Sequence, residues 1–511
     1  MSTLKSATEL PVAVDGNHSA KSILSRTAKG AGWTIGWRIA TRAIGFCSTL
    51  ILVRLLTPGD FGIVSLAIGF FQALDGVAGF SVEGAIIRTD TPDRSIYDAG
   101  FTINVVRGVF TSAMMAAFAI PVARFFGNQH LVEIIYVLAA TWAVSALQNV
   151  GIIEFRRNLA FNMEFKIQII PRLLALAVTI PAAFLWHSYW ALVAGIIASR
   201  LLTVSLSYIM HPYRPRLGIA GIPRIFSFSF WEWLIGLLNL FSTRADSFII
   251  GRIISTAAVG VYGVGAEIAS LPSSEIVAPL CRALFSGFAA ERREGSDGSV
   301  MLLRVLSFLA LFTLPLSVGL SLVAYPLVKL GFGAEWLQAV PLVQLLALAG
   351  AIGLFSAVAE ALFSAHAWLR SILWMTAVVS TLRFSLSLLL IPEYGLVGGA
   401  VSAIVAGIIQ EVVFVATIMH RLKLRIGLIM ASVMRPAIAA GVMAGTLTKA
   451  GLGWNDWIGT NADLGADLAI AIGLGIVIYV TCLIALWFSA GRPAGPEADA
   501  VSIVNRFTSR T

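Results

Sequence analysis

Apolar runs of about 18 to 25 residues, parted by short polar breaks, recur along most of the chain, each long enough to cross a bilayer as a helix. Their approximate limits are 33–56, 61–87, 100–122, 131–153, 167–186, 188–210, 226–250, 257–285, 301–324, 337–362, 371–391, 395–418, 431–449 and 467–488. The pattern predicts an all-α integral membrane protein of about fourteen transmembrane helices. Two places interrupt the regularity. A tight aromatic turn joins the fifth and sixth runs near Trp186 and Trp190, and the stretch 325–336 is a candidate re-entrant segment.

Composition agrees with this pattern: 58% of the 511 residues are hydrophobic and only 12% charged, about half the charge of a soluble domain. The net charge of +9 points to membrane topology and not to nucleic acid, because no Lys/Arg run forms a basic tail. Placing the N-terminus in the cytoplasm puts 21 Lys and Arg residues in cytoplasmic segments and 5 in the opposite loops. That asymmetry predicts an even number of spans with both termini cytoplasmic. Residues 1–29 lack the apolar core of a signal peptide and are expected to form a cytoplasmic tail, as are residues 491–511. The longest external loop, near 451–466, leaves no room for a soluble catalytic domain. The chain is expected not to be an enzyme. It has no G-x-x-x-x-G-K-[ST] loop, and its six histidines form no metal-ligand spacing with Cys47, Cys281 and Cys482. No metal or cofactor is expected, and the three cysteines are read as small packing residues.

An internal repeat divides the spans. Arg54-Leu-Leu-Thr-Pro-Gly-Asp-Phe-Gly62 has a counterpart in Arg252-Ile-Ile-Ser-Thr-Ala-Ala-Val-Gly260, 198 positions later, and Trp33 and Trp231 share that offset. Chance similarity between two apolar hairpins is one reading. Equal placement within two sets of six spans favours the other, a duplication, and such repeats commonly enclose a substrate site. The division is then 30–210 for the first six spans, 211–420 for the next six and 421–490 for two further spans.

The stretch Leu52 to Gly62 (LVRLLTPGDFG) looks like the first hairpin of bacterial polysaccharide exporters and lipid-linked oligosaccharide flippases. These form the polysaccharide branch of the multidrug/oligosaccharidyl-lipid/polysaccharide exporter superfamily. Asp246 to Pro272, Trp336 to Gly350 and Tyr394 to Ala403 resemble its later helices, and the likeness covers roughly residues 30 to 420. The resemblance implies two six-helix lobes, two extra C-terminal helices, a central cavity and alternating access. It also implies a polyprenyl-diphosphate-linked oligosaccharide as substrate, within exopolysaccharide, O-antigen or capsule biosynthesis. Membrane lipids, a polysaccharide polymerase and chain-length machinery are the implied partners.

Moving a diphosphate and sugar hydroxyls through lipid needs a wet, positive path, and the planar fork of arginine suits phosphate. Arg38 and Arg42 stand four apart on one face of the first span, Arg42 roughly 13 Å in from Trp33. Substrate contact and snorkelling to the headgroups are the two readings for that pair. Arg107, Arg172, Arg200, Arg244 and Arg383 are the other candidate cavity arginines, Arg383 midway along its span and Arg172 nearer the cytoplasmic end. Each is substrate contact, intramembrane ion pair or interfacial anchor. Among the intramembrane carboxylates, Asp246, Asp75, Glu83 and Glu267 are candidates for coupling to H⁺ or Na⁺. Glu232, Glu275, Glu360 and Glu411 complete the set, with salt bridging to the arginines as the structural reading. Asp246 and Arg244 do not share a helical face, so their partners are expected on other helices. The alternatives are a multidrug cation antiporter of the same superfamily, which would favour an acidic or aromatic cavity, and a membrane-embedded polysaccharide polymerase, which usually carries a large external loop.

Overall fold

The computed structural model describes residues 41, 44–77, 82, 83, 86, 93–157, 160–222, 230–277, 297–366, 368–454, 457 and 461–492, with scattered positions between 280 and 295. Every regular element among the described residues is helical. The first half holds α1 (Ile44–Leu55), α2 (Pro58–Val77), α3 (Arg94–Phe126), α4 (His130–Ser145), α5 (Phe161–Trp186) and α6 (Trp190–Met210). The second holds α7 (Phe230–Ile253), α8 (Thr256–Ala269), α9 (Ser299–Leu322), α10 (Ala324–Gly331), α11 (Val340–Ile352), α12 (Leu354–Ala365) and α13 (Leu369–Leu422). Two further helices, α14 (Ile426–Lys449) and α15 (Asn461–Ser489), close the bundle against α9.

By length and apolarity, nine described helices can cross a membrane, or ten if the bent pair after α4 is one span. The difference from the expected fourteen has identifiable sources. At 54 residues α13 is about 81 Å long at 1.5 Å per residue, far beyond one crossing, and it joins the eleventh and twelfth predicted runs. Its break is Gly395, at φ 60 and ψ −138, a conformation that a Cβ would strain. The predicted 337–362 run breaks at Gly353 into α11 and α12. The predicted runs at 33–56 and 257–285 are met by the shorter described helices α1 and α8. Large apolar side chains such as Leu185, Ile209, Trp374 and Leu389 stand exposed, as a lipid-facing surface requires.

The 325–336 stretch does not cross. α10 has eight residues, about 12 Å, and a 3₁₀ turn (Ala334–Ala339) follows it. Arg54 of α1 donates to the carbonyls of Leu330 and Gly331 at the C-terminal end of α10, where the helix dipole favours a cation. Trp336 is 1% exposed, donates its indole N–H to the Val53 carbonyl at 2.9 Å and meets Phe61 edge-on at 5.4 Å.

The 198-residue repeat has a physical basis at the α1–α2 and α7–α8 turns. Thr57 and Asp60 cap α2 reciprocally, the Thr57 N–H donating to Asp60 Oδ2 at 3.0 Å and the Asp60 N–H to Thr57 Oγ1 at 3.3 Å. At the matching position Ser255 caps α8 by accepting from the Ala258 N–H at 3.1 Å. The two helices then pack on each other through their glycines. A Cβ on Gly62 would meet the Thr256 carbonyl, and one on Gly260 would meet the Pro58 carbonyl. Pro58 matches Thr256 under the same offset, so the contact is reciprocal, as between two copies about a two-fold axis.

This end of the bundle, named here for Thr57, is where the halves join. Asn128 reaches Thr256, Phe126 packs on Phe248, and one apolar cluster runs from Ile63, Leu66 and Leu138 to Ile250, Tyr262 and Leu342. The opposite end, named for Arg156, holds the α4–α5 and α6–α7 connections. Here Tyr213 donates to Asp98 at 2.5 Å. Burial and that carboxylate together hold the Tyr213 phenol above its ordinary value.

Candidate functional site

The break after α4 opens the first half. The chain turns by 69° between α4 and the short Val150–Arg157 segment, so Gln148 leaves the helical ladder beside α5 and α6. Buried Asn149 holds the turn, accepting from the Gly151 N–H at 2.9 Å and donating to the Tyr213 carbonyl at 2.7 Å. Behind it lies a cavity of about 700 Å³ lined by α1, α2, α4, α5 and α6. Gln168, Arg172 and Thr179 face it from α5, and Ser199, Arg200 and Thr203 from α6. Two adjoining spaces, of about 200 and 330 Å³, share Gln148 with it and continue toward the Arg156 end.

Arg172 and Arg200 carry the positive charge of the large cavity. Arg172 lies 11 residues into α5 and Arg200 10 residues into α6, about 15 Å from either helix start. α5 begins six residues before its expected limit. The Arg200 guanidinium sits 5.7 Å from the centre of the buried Trp142 ring, a cation–π contact, and the Arg172 and Arg200 side chains are exposed. Among the described residues no carboxylate lies within ion-pair distance of either. Two fork-shaped, permanently charged donors in a cavity with amides and hydroxyls can hold a phosphate and the hydroxyls attached to it.

The adjoining spaces are different, because their charges are paired. Arg156 bridges Glu83 and Glu164, contacting the latter at 2.7 Å, and Gln168 donates to the same Glu164 oxygen at 3.2 Å. Arg107 pairs with Asp75 at 3.4 Å. These pairs, each partly exposed, form a polar throat between the cavity and the Arg156 end.

The second half holds a separate buried network. Asp246 of α7 is 1% exposed and accepts from Arg383 at 2.6 Å, Ser387 at 2.7 Å and Tyr262 at 3.0 Å. Ser387 also meets Ser402 at 2.9 Å. Asp246 is therefore a saturated acceptor whose charge is balanced within the protein, and its cation comes from α13, as helical spacing requires.

The chain matches the family described as "Polysaccharide biosynthesis protein" over residues 51–341, more than half its length. It belongs to that family. Among curated relatives it is 24% identical over 330 residues to the succinoglycan biosynthesis transport protein ExoT of Rhizobium meliloti (strain 1021), covering 63% of this chain and 66% of that one. It is 21% identical over 333 residues to the lipopolysaccharide biosynthesis protein WzxC of Escherichia coli (strain K12), covering 64% and 68%. In fold it is similar to the lipid II flippase MurJ in an inward closed conformation, with a TM-score of 0.72 and 14% identity, covering 90% of this chain and all of that one. An inward-facing multidrug resistance transporter of the MATE family gives a TM-score of 0.61 at 14% identity, covering 74% and 94%. These neighbours share the all-α membrane architecture, and this chain is a multi-pass membrane protein.

Within this family member the predicted site residues separate into distinct places. Arg172 and Arg200 share the cavity, while Arg107 borders the throat already paired with Asp75. Arg383 is held by Asp246, and Arg244 lines a separate groove beside α7. Arg38 and Arg42 lie outside the described residues, and so does the side chain of Glu232. Glu83 is bridged to Arg156, and Glu267 and Glu275 are exposed. Glu411 has no salt bridge among the described residues, unlike the expectation, and accepts from the Ser356 N–H at 3.1 Å in the first turn of α12, where a helix dipole favours an anion. Cys47 is exposed and does not pack as expected, because its face of α1 turns away from the core. Sequence reasoning missed Gln148, Gln168 and Thr203. The stripe Gln168, Arg172, Thr179 at helical spacing was the available signal, and the break that frees Gln148 had none.

Proposed function

We propose that the protein flips lipid-linked oligosaccharide repeat units, or related polysaccharide intermediates, across a bacterial inner membrane for surface-polysaccharide biosynthesis. One observation carries the reading: in a member of a polysaccharide biosynthesis family, two arginines with no carboxylate at ion-pair distance among the described residues face a polar cavity between apolar helices. A cationic drug would be repelled by these charges, which disfavours the antiporter alternative. The relatives named as transport and lipopolysaccharide biosynthesis proteins support the reading in kind.

In the proposed cycle Arg172 and Arg200 take the diphosphate while amides and hydroxyls of α5 and α6 take sugar hydroxyls. The Gly62–Gly260 contact closes the Thr57 end in this state and parts when that end opens. An ion gradient, of H⁺ or Na⁺, drives the exchange, and both termini lie in the cytoplasm, so that the throat at Arg156 opens inward. A polymerase and chain-length machinery receive the product. The test is export in a strain lacking the protein, complemented by variants at matched membrane abundance. Arg172→Gln with Arg200→Gln is expected to abolish polysaccharide export and to accumulate cytoplasm-facing lipid-linked units. Normal export in that double variant would remove the reading.

A further inference from the structure

Beside the joined ends lies a second cavity, about 400 Å³, between α2 and α3 of the first half and α7 and α13 of the second. It runs along α7 from Leu237 to Ile253, which at 1.5 Å per residue is about 24 Å, most of a bilayer core. Apart from Arg244 and Arg252, every residue lining it is apolar, with Phe248 between the two arginines and Leu388 on the facing helix. Neither guanidinium meets a carboxylate among the described residues, and Arg252 rests on the Phe125 ring at 5.4 Å. Arg244 lies about 13 Å in from the end of α7, and Arg252 is one residue from that end.

A guanidinium near the bilayer middle in an apolar slot needs an anion or water. The slot itself offers apolar side chains, which suit a hydrocarbon. The phosphate of a resident phospholipid stays at the headgroup level and reaches Arg252 but not Arg244. A lipid whose phosphate is carried across the membrane passes both. The arginines stand about 12 Å apart along one helix, Phe248 midway, so they form two stations on one track.

We propose that this groove is a seat for the polyprenyl diphosphate carrier in transit, its phosphates engaging Arg244 and Arg252 in turn and its chain lying on the Phe248 and Leu388 wall. The seat rests on the flippase reading and adds to it a lateral station outside the sugar cavity. The seat receives the carrier after Arg172 and Arg200 have released its diphosphate from the polar first-half cavity.

The test uses the full-length chain in phosphatidylcholine nanodiscs and a fluorescent polyprenyl diphosphate that carries no sugar. Wild type is expected to bind it, and Arg244→Gln to bind about ten-fold more weakly, the scale of losing hydrogen bonds to a charged group. Arg244→Lys is expected to lose less. Leu388→Trp narrows the groove while keeping both arginines and is expected to weaken binding as well, which keeps the test decisive should Arg244→Gln not fold. Inorganic diphosphate and phosphatidylglycerol are expected to compete poorly. Unchanged binding in Arg244→Gln and Leu388→Trp, with wild type still transporting sugar-loaded carrier, overturns the seat and leaves the flippase reading standing. Equal competition by phosphatidylglycerol assigns the groove to bulk lipid and overturns the seat. A wild type that neither binds nor transports the carrier overturns both.

Discussion

The arginines of this protein behave differently because of what each one faces. Arg383 faces a carboxylate that is 1% exposed, so removing the partner leaves a charge in a low-dielectric interior. Asp246→Asn is expected to destabilise the fold by about 3–5 kcal/mol, read as an earlier thermal unfolding transition in detergent. Adding Arg383→Gln is expected to recover part of that loss, since the pair then goes together. An Asp246→Asn protein with wild-type stability would show the pair to be energetically idle. Arg200 faces an aromatic ring and a cavity, so nothing buried is orphaned when it is replaced. Arg200→Gln is expected to leave membrane abundance unchanged and lower export, and Arg200→Lys to restore only part of it. Expression falling together with export would move Arg200 into the structural class.

At the scale of elements, the paired turns at Thr57 and Ser255 fix where the halves meet. The Gly62 Cβ position is occupied by a backbone carbonyl, which cannot rotate away as a side chain would. Gly62→Ala and Gly260→Ala are therefore expected to destabilise by about 1–3 kcal/mol or more, the scale of overpacking. Gly45 of α1 has nothing within 4 Å of its Cβ position, and Gly45→Ala is expected to be neutral or slightly stabilising, as helix propensity dictates. Equal unfolding temperatures for all three variants would contradict the close contact. The repeat letters made the two matching turns legible in advance, because capping residues and glycines leave marks at fixed spacing; that the turns pack on each other was not legible. The breaks at Gln148 and Gly353 were not legible. Both lie inside apolar runs where hydropathy stays high, and what ends the helix is tertiary: Asn149 reaching Tyr213, and Glu411 reaching the start of α12. For the same reason intramembrane charges were easy to find by type but not to sort. Whether an arginine is paired depends on which helix lies opposite, as Asp246 on α7 and Arg383 on α13 illustrate.

For the whole molecule, the contacts that join the halves gather at the Thr57 end, while the polar cavity and its throat extend toward the Arg156 end. With the loop charges setting orientation, a reporter fused at Gly295 is expected on the cytoplasmic side and one at Asn461 on the opposite side. Reversal at either site would overturn the assigned topology. Alternating access then requires the Thr57 end to open when the Arg156 end closes. The most direct measurement reconstitutes the purified chain in liposomes with a labelled polyprenyl-diphosphate oligosaccharide and follows its arrival on the far leaflet with a membrane-impermeant sugar reagent. Wild type is predicted to move the label. The Arg172→Gln, Arg200→Gln double variant is predicted to leave it at the protein-free rate, at equal amounts of folded protein. Movement of the label at the wild-type rate by the double variant would contradict the account.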